Sequence, residues 1–108
     1  MICWVKVSME QFEAAVDAAL DSIPQQFQPY LENTEVVIAE TSGGRLLGLY
    51  EGATALHAGE SFPERITIYK AEHERGARDY DELVERVRHT VLHEVGHHFG
   101  MDEDEMPF

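Results

Sequence analysis

Two histidines four residues apart, with a glutamate beside the first, stand near the C-terminus as His93-Glu94-Val95-Gly96-His97. On a helix this spacing stacks His93 and His97 about one turn apart on one face, so both imidazoles reach one metal ion. Glu94 then lies about 100° round the helix. From there its carboxylate addresses a water on the metal without ligating it, as the general base of a zinc hydrolase does. Two histidines hold zinc weakly, and a catalytic site takes three protein ligands and one open position. Oxygen donors follow at once, in Gly100-Met101-Asp102-Glu103-Asp104-Glu105. The run reads H-E-x-x-H-x-x-G-x-x-E, with Glu103 where a third histidine stands in related zinc motifs. Glu103 is therefore the expected third zinc ligand, with Asp102 and Asp104 one residue of loop adjustment away.

These groups need a helix with one face for a core and another for the histidines. Asp79 is placed to cap it, with Glu82 in capping-box position. No proline intervenes before Phe99. At about 100° per residue, Leu83, Val84, Val87, Val91, Val95 and Phe99 fall in one half of the wheel. His93 and His97 project from the other half, beside Arg86 and Thr90. Gly100 stands where a helix end wants positive φ, so the chain can reverse there.

The segment from Leu46 to Glu105 resembles the small bacterial zincin-like metallopeptidases, sometimes called minimal metalloproteases. The resemblance rests on Leu47-Gly48-Leu49-Tyr50-Glu51-Gly52, Pro63-Glu64-Arg65-Ile66-Thr67-Ile68-Tyr69, and Val87-Arg88-His89-Thr90-Val91-Leu92 leading into His93-Glu94-Val95-Gly96-His97-His98-Phe99-Gly100. It is strong over the C-terminal half and loose before it. It implies a compact zincin-type fold and a zinc-dependent peptidase acting on a peptide or protein. In such folds a strand beside the metal offers its free edge to an extended peptide. The strand ending at Tyr69 is the expected edge. Tyr69 is the expected oxyanion donor, and Tyr50 is a second tyrosine able to take that role.

Ahead of the site, Ser8 and Gln11 form a capping box for a helix in which Phe12, Ala15, Val16, Ala19, Leu20 and Ile23 recur at helical spacing. Pro24 ends it. Residues Ile2 to Val7 read as a short strand or extended lead-in, and Gln25 to Asn33 as one further helical turn. Glu35 to Ala39, Leu46 to Tyr50 and Ile66 to Tyr69 read as strands, the first and last on β-branched content. Thr41 to Gly44 is a turn, Glu51 to Pro63 an irregular piece bordering a cleft, and Ala71 to Ala77 a helical turn or loop. The expected fold is α+β: one domain over residues 1–108, with a mixed sheet of about three strands on an N-terminal and a long C-terminal helix.

Composition narrows the partners. Apolar residues make up 44% and charged ones 27%, ordinary for a water-soluble domain. A net charge of −13, from 21 acidic against 8 basic residues, opposes binding to nucleic acid and to anionic membranes. Cys3 is alone, so it forms no internal disulfide, and its apolar neighbours suit a packed thiol. The N-terminus lacks the pattern of a secretory signal, and no apolar run is long enough to span a bilayer, so a cytoplasmic location is expected. His89, four residues before His93, suits a supporting or surface role, and His98 an interior one; His57 and His73 carry no signal. Two further readings remain: a zinc-binding peptide-interaction module without catalysis, and an acidic partner-binding protein. The paired-histidine face beside a glutamate argues for the enzyme.

Overall fold

Alternation and helical spacing together dictate a two-layer arrangement. In the computed structural model, residues 4–32, 34–51 and 64–98 are described. Helix α1 spans Met9–Asp21, and both arms of its capping box form: Gln11 N–H donates to Ser8 Oγ at 3.1 Å, and Ser8 N–H to Gln11 Oε1 at 2.8 Å. Its stripe of Phe12, Ala15, Val16 and Ala19 is buried. A 3-10 turn, Gln25–Tyr30, follows Pro24. Three strands come next, β1 (Thr34–Ala39), β2 (Gly48–Glu51) and β3 (Glu64–Tyr69). The short helix α2 (Lys70–Glu74) leads into the long helix α3 (Tyr80–His98).

The strands lie in the order β1-β3-β2, with β1 parallel and β2 antiparallel to β3. This corrects one expectation. The strand ending at Tyr69 is the centre of the sheet, hydrogen-bonded on both sides, and has no free edge to offer. Among the described residues, the sheet edge nearer the long C-terminal helix α3 is β2.

One face of the sheet meets the helices. Ile66 and Ile68 are fully buried there, with Val36, Ile38 and Tyr50 packed beside them. Against them lie the α1 stripe and Leu83, Val87, Val91 and Val95 of α3. Burial of that many aliphatic and aromatic side chains, at about 1.5–3 kcal/mol each, is the main force holding the layers together. The other face is open: Arg65 Nε donates to Glu35 Oε2 at 3.4 Å, with both side chains half exposed. Residues 4–8 are an extended lead-in tied down by Val5 N–H to Ala77 O at 2.8 Å and Val7 N–H to Glu74 Oε2 at 2.8 Å.

The segment before β2 is held by a buried carboxylate. Glu72 Oε2 accepts from Thr41 Oγ1 at 3.0 Å, from Ser42 N–H at 2.8 Å and from Ser42 Oγ. Burial by itself raises the pKa of Glu72, but the Ser42 hydroxyl and amide and the Thr41 hydroxyl outweigh it and bring the group to about 2. Among the described residues no helix is long and apolar enough to cross a membrane.

Candidate metal centre

Helix α3 forms as its pattern demands. Glu82 N–H donates to Asp79 Oδ1 at 2.9 Å, which makes Asp79 the N-cap. The expected capping box is only half made: the Glu82 carboxylate accepts from Arg78 N–H at 2.8 Å, one residue short of the cap. The helix then runs unbroken through His93, Glu94 and His97. The His93 and His97 backbone positions therefore fall on one face, one turn apart, as the motif requires.

His93 is half-buried, and its ring stacks on that of His89, with centroids 5.6 Å apart and planes 22° apart. His89 thus flanks the first imidazole of the motif. Glu94 is also half-buried, directly under β2. A Cβ built on Gly48 would stand 3.7 Å from Glu94 Cγ, 2.8 Å from Thr90 Cγ2 and 3.2 Å from the Thr67 carbonyl oxygen. Only glycine lets the strand backbone come this close to the helix. The edge strand and the expected general base are in contact range because residue 48 has no side chain.

Sequence reasoning missed His73. It is fully buried, with Nδ1 2.8 Å from the Tyr69 carbonyl oxygen and Nε2 2.9 Å from Thr90 Oγ1. A carbonyl only accepts, so Nδ1 carries the proton and Nε2 accepts from the Thr90 hydroxyl. Burial pushes the His73 pKa down, outweighing the bond to Tyr69, and the neutral ring is the stable form. Thr90, on the polar half of the wheel, is accordingly buried, with its hydroxyl on His73 and its methyl group against Gly48. One contact point joins the end of β3, α2, α3 and β2, one turn ahead of Glu94. The only signal in the sequence was a histidine between a strand and a helix.

Tyr69 lies elsewhere. Ile66 and Ile68 face the helices, so alternation turns Thr67 and Tyr69 to the opposite face of the sheet. By its position in β3, Tyr69 stands on the sheet face away from the helices. Tyr50, paired with Ile66, is on the helix side. Burial, followed by the hydrogen bond and charge of Glu64, pushes its phenol well above the ordinary range.

The expected third ligand, Glu103, falls outside the described residues, as do Asp102, Asp104, Gly100, Phe99, Cys3 and His57. The side chains of His97 and His98 are outside them too. Among the described residues no group of three or more His, Cys, Asp and Glu side chains could hold a metal ion. The part that is described fits a divalent cation: a half-buried imidazole on α3, a second imidazole position one turn on, and a carboxylate between them in sequence, beside the strand.

Comparison with known proteins gives a family and a fold. The model of a zincin-like metallopeptidase family matches residues 31–107, which include β1 to α3 and the acidic run after Gly100. A conserved hypothetical protein from Thermo thermophilus has a similar structure, with a TM-score of 0.58 and 24% identity over 85% of this chain and 94% of the other. That likeness shows the fold. No curated protein matches the chain.

Proposed function

This chain belongs to the zincin-like metallopeptidase family, and we propose that it is a zinc-dependent peptidase that hydrolyses peptide bonds with Glu94 as general base. The observation that carries the reading is the closeness of Gly48 to Glu94. It puts the edge of a sheet, which an extended peptide can extend by main-chain hydrogen bonds, beside the carboxylate that would activate water. Peptide is favoured over nucleic acid as the partner because the net charge of −13 repels phosphates.

His93, His97 and Glu103 would hold the cation, with His89 stacked on the first ring to fix its plane. When bound, the cation supplies Lewis-acid chemistry, polarising a carbonyl and making water more acidic. Glu94 takes the proton of the attacking water and passes it to the departing amine. The edge of β2 aligns the scissile peptide, and the close seat of Gly48 over Thr90 and Glu94 fixes how far that peptide stands from the base. The test is Glu94→Gln, assayed against a mixed peptide library by mass spectrometry alongside metal analysis. Zinc should stay bound while cleavage falls by at least about a hundredfold, the low end for loss of a general base. Undiminished cleavage by Glu94→Gln rejects the assignment, and a wild-type protein that holds zinc but cleaves nothing points to a silent binding module.

A further inference from the structure

At the side of the sheet away from β2, β1 ends the strand order and among the described residues pairs with β3 alone. Along a strand the N–H and C=O groups point alternately to its two edges, so about half of those from Val36 to Ala39 face off the sheet. Exposed edges are commonly guarded by lysine, proline or a bulge. β1 has none of these: it reads Thr-Glu-Val-Val-Ile-Ala and matches β3 one residue to one throughout. Its one charged side chain, Glu35, is paired with Arg65 at 3.4 Å. Val36 and Ile38 are half-buried, whereas Ile66 and Ile68, their partners on β3, are fully buried. The contrast marks the neighbour that β1 lacks, among the described residues, on its outer side.

A groove lies beside that edge. Helix α1 packs on α3 and stands off from β1, and between α1 and β1 there is a cavity of about 450 Å³. Val16 and Leu20 of α1 and Val36 to Ile38 of β1 give it apolar walls, and Glu13 and Asp17 line it as well. Helix α1 carries Glu10, Glu13, Asp17 and Asp21 and no lysine or arginine. Among the described residues neither Glu13 nor Asp17 is in an ion pair. A second copy of this chain suits the groove poorly. Antiparallel pairing of two β1 edges would set both acidic α1 helices along one seam, in molecules that each carry a net charge of −13.

We propose that the outer edge of β1 receives an extended segment of a partner protein, one that carries lysine or arginine. Its main chain continues the sheet, its apolar side chains enter the groove, and its cations meet Glu13 and Asp17. The edge supplies affinity for any extended chain, and the two carboxylates select a basic one. The site does not depend on the peptidase reading, because β3 separates this edge from β2.

The test uses Glu94→Gln protein, so that no probe is consumed, at about 0.15 M salt, where charges more than about 8 Å away are screened. The probes are fluorescein-labelled heptapeptide amides alternating lysine, glutamine or glutamate with valine, read by anisotropy. The lysine peptide should bind about three- to twentyfold more tightly than the glutamine one, the range of two exposed ion pairs, and the glutamate peptide most weakly. Glu13→Gln combined with Asp17→Asn should bring the lysine and glutamine peptides within about twofold of each other. N-methylation of the central valine should weaken the lysine peptide at least about tenfold, since it removes a strand donor. Amide exchange, read residue by residue by NMR, should be fast at the outward amides of residues 36–39 in the free protein and slow once the lysine peptide is bound. Equal binding of all three peptides overturns the proposal, as does a preference that survives the double substitution. Protection that appears at residues 48–51 instead also overturns it. So do outward β1 amides already slow in the free protein, which would mean that another part of this chain, or a second copy, covers the edge.

Discussion

Gly48→Ala tests the central geometric argument, that the close seat of β2 on α3 sets the site. The new methyl group would begin 2.8 Å from Thr90 Cγ2 and 3.2 Å from the Thr67 carbonyl oxygen. An ordinary carbon–carbon contact is about 3.5–4.0 Å, so strand and helix must part by about 1 Å. Thr90 cannot simply rotate away, because its hydroxyl is fixed on His73 at 2.9 Å. Overpacking of this kind costs about 2 kcal/mol, which in a domain of this size lowers Tm by about 10 °C. A shift of about 1 Å between the base and the peptide-binding edge should also cut kcat/KM about a hundredfold. Thermal melts and peptide cleavage, both at fixed zinc, measure the two effects. Thr90→Ser supplies the control, since it removes Cγ2 and keeps the hydroxyl. Combined with Gly48→Ala it should restore at least about 1 kcal/mol beyond additivity. A Gly48→Ala protein melting within about 2 °C of wild type, or a strictly additive double variant, refutes the reasoning.

Three other outcomes are expected. His73→Gln should strip Thr90 Oγ1 and the Tyr69 carbonyl of a buried partner and cost about 3 kcal/mol in urea denaturation, while a surface change such as Glu13→Gln should cost almost nothing. Stability measured in chelator should fall with acid in two stages. His73, with its folded pKa depressed, is protonated more readily in the unfolded chain, so its share is lost as pH drops below about 6.5. Glu72, at about 2 when folded against an ordinary 4.5, contributes above 4.5 and loses its share as pH falls from there toward 2. Glu72→Gln should flatten that lower stage; an unchanged lower stage would remove Glu72 from the account. Finally, His97→Ala should reduce bound zinc from about one equivalent to roughly a tenth or less, whereas His89→Ala should keep it. The reverse result would make His89 and His93 the metal pair.

The helices were legible because each is written in local signals. Ser8 and Gln11 begin α1, Pro24 follows its end, and the aliphatic stripe of α3 leaves His93 and His97 on the other face. The strands existed where β-branched runs stood, but their order did not follow from them. Pairing of β1 with β3, thirty residues apart in register, depends on which faces the helices cover, and this demoted the Tyr69 strand from edge to centre. Short apolar runs such as Leu46 to Tyr50 carry no period, so the importance of Gly48 was invisible until α3 was laid beneath it. Thr90 and His73 were misjudged for one reason: each makes the other's burial affordable, and a wheel of one helix cannot show a partner 17 residues away.

The long C-terminal helix also closes the fold. It supplies the surface on which α1 and the inner sheet face lie, and the core has no substitute for Leu83, Val87, Val91 and Val95. The helix that carries the proposed general base is therefore also the one on which the interior leans. Under the proposed function, loosening it would undo the packing and the base's position together.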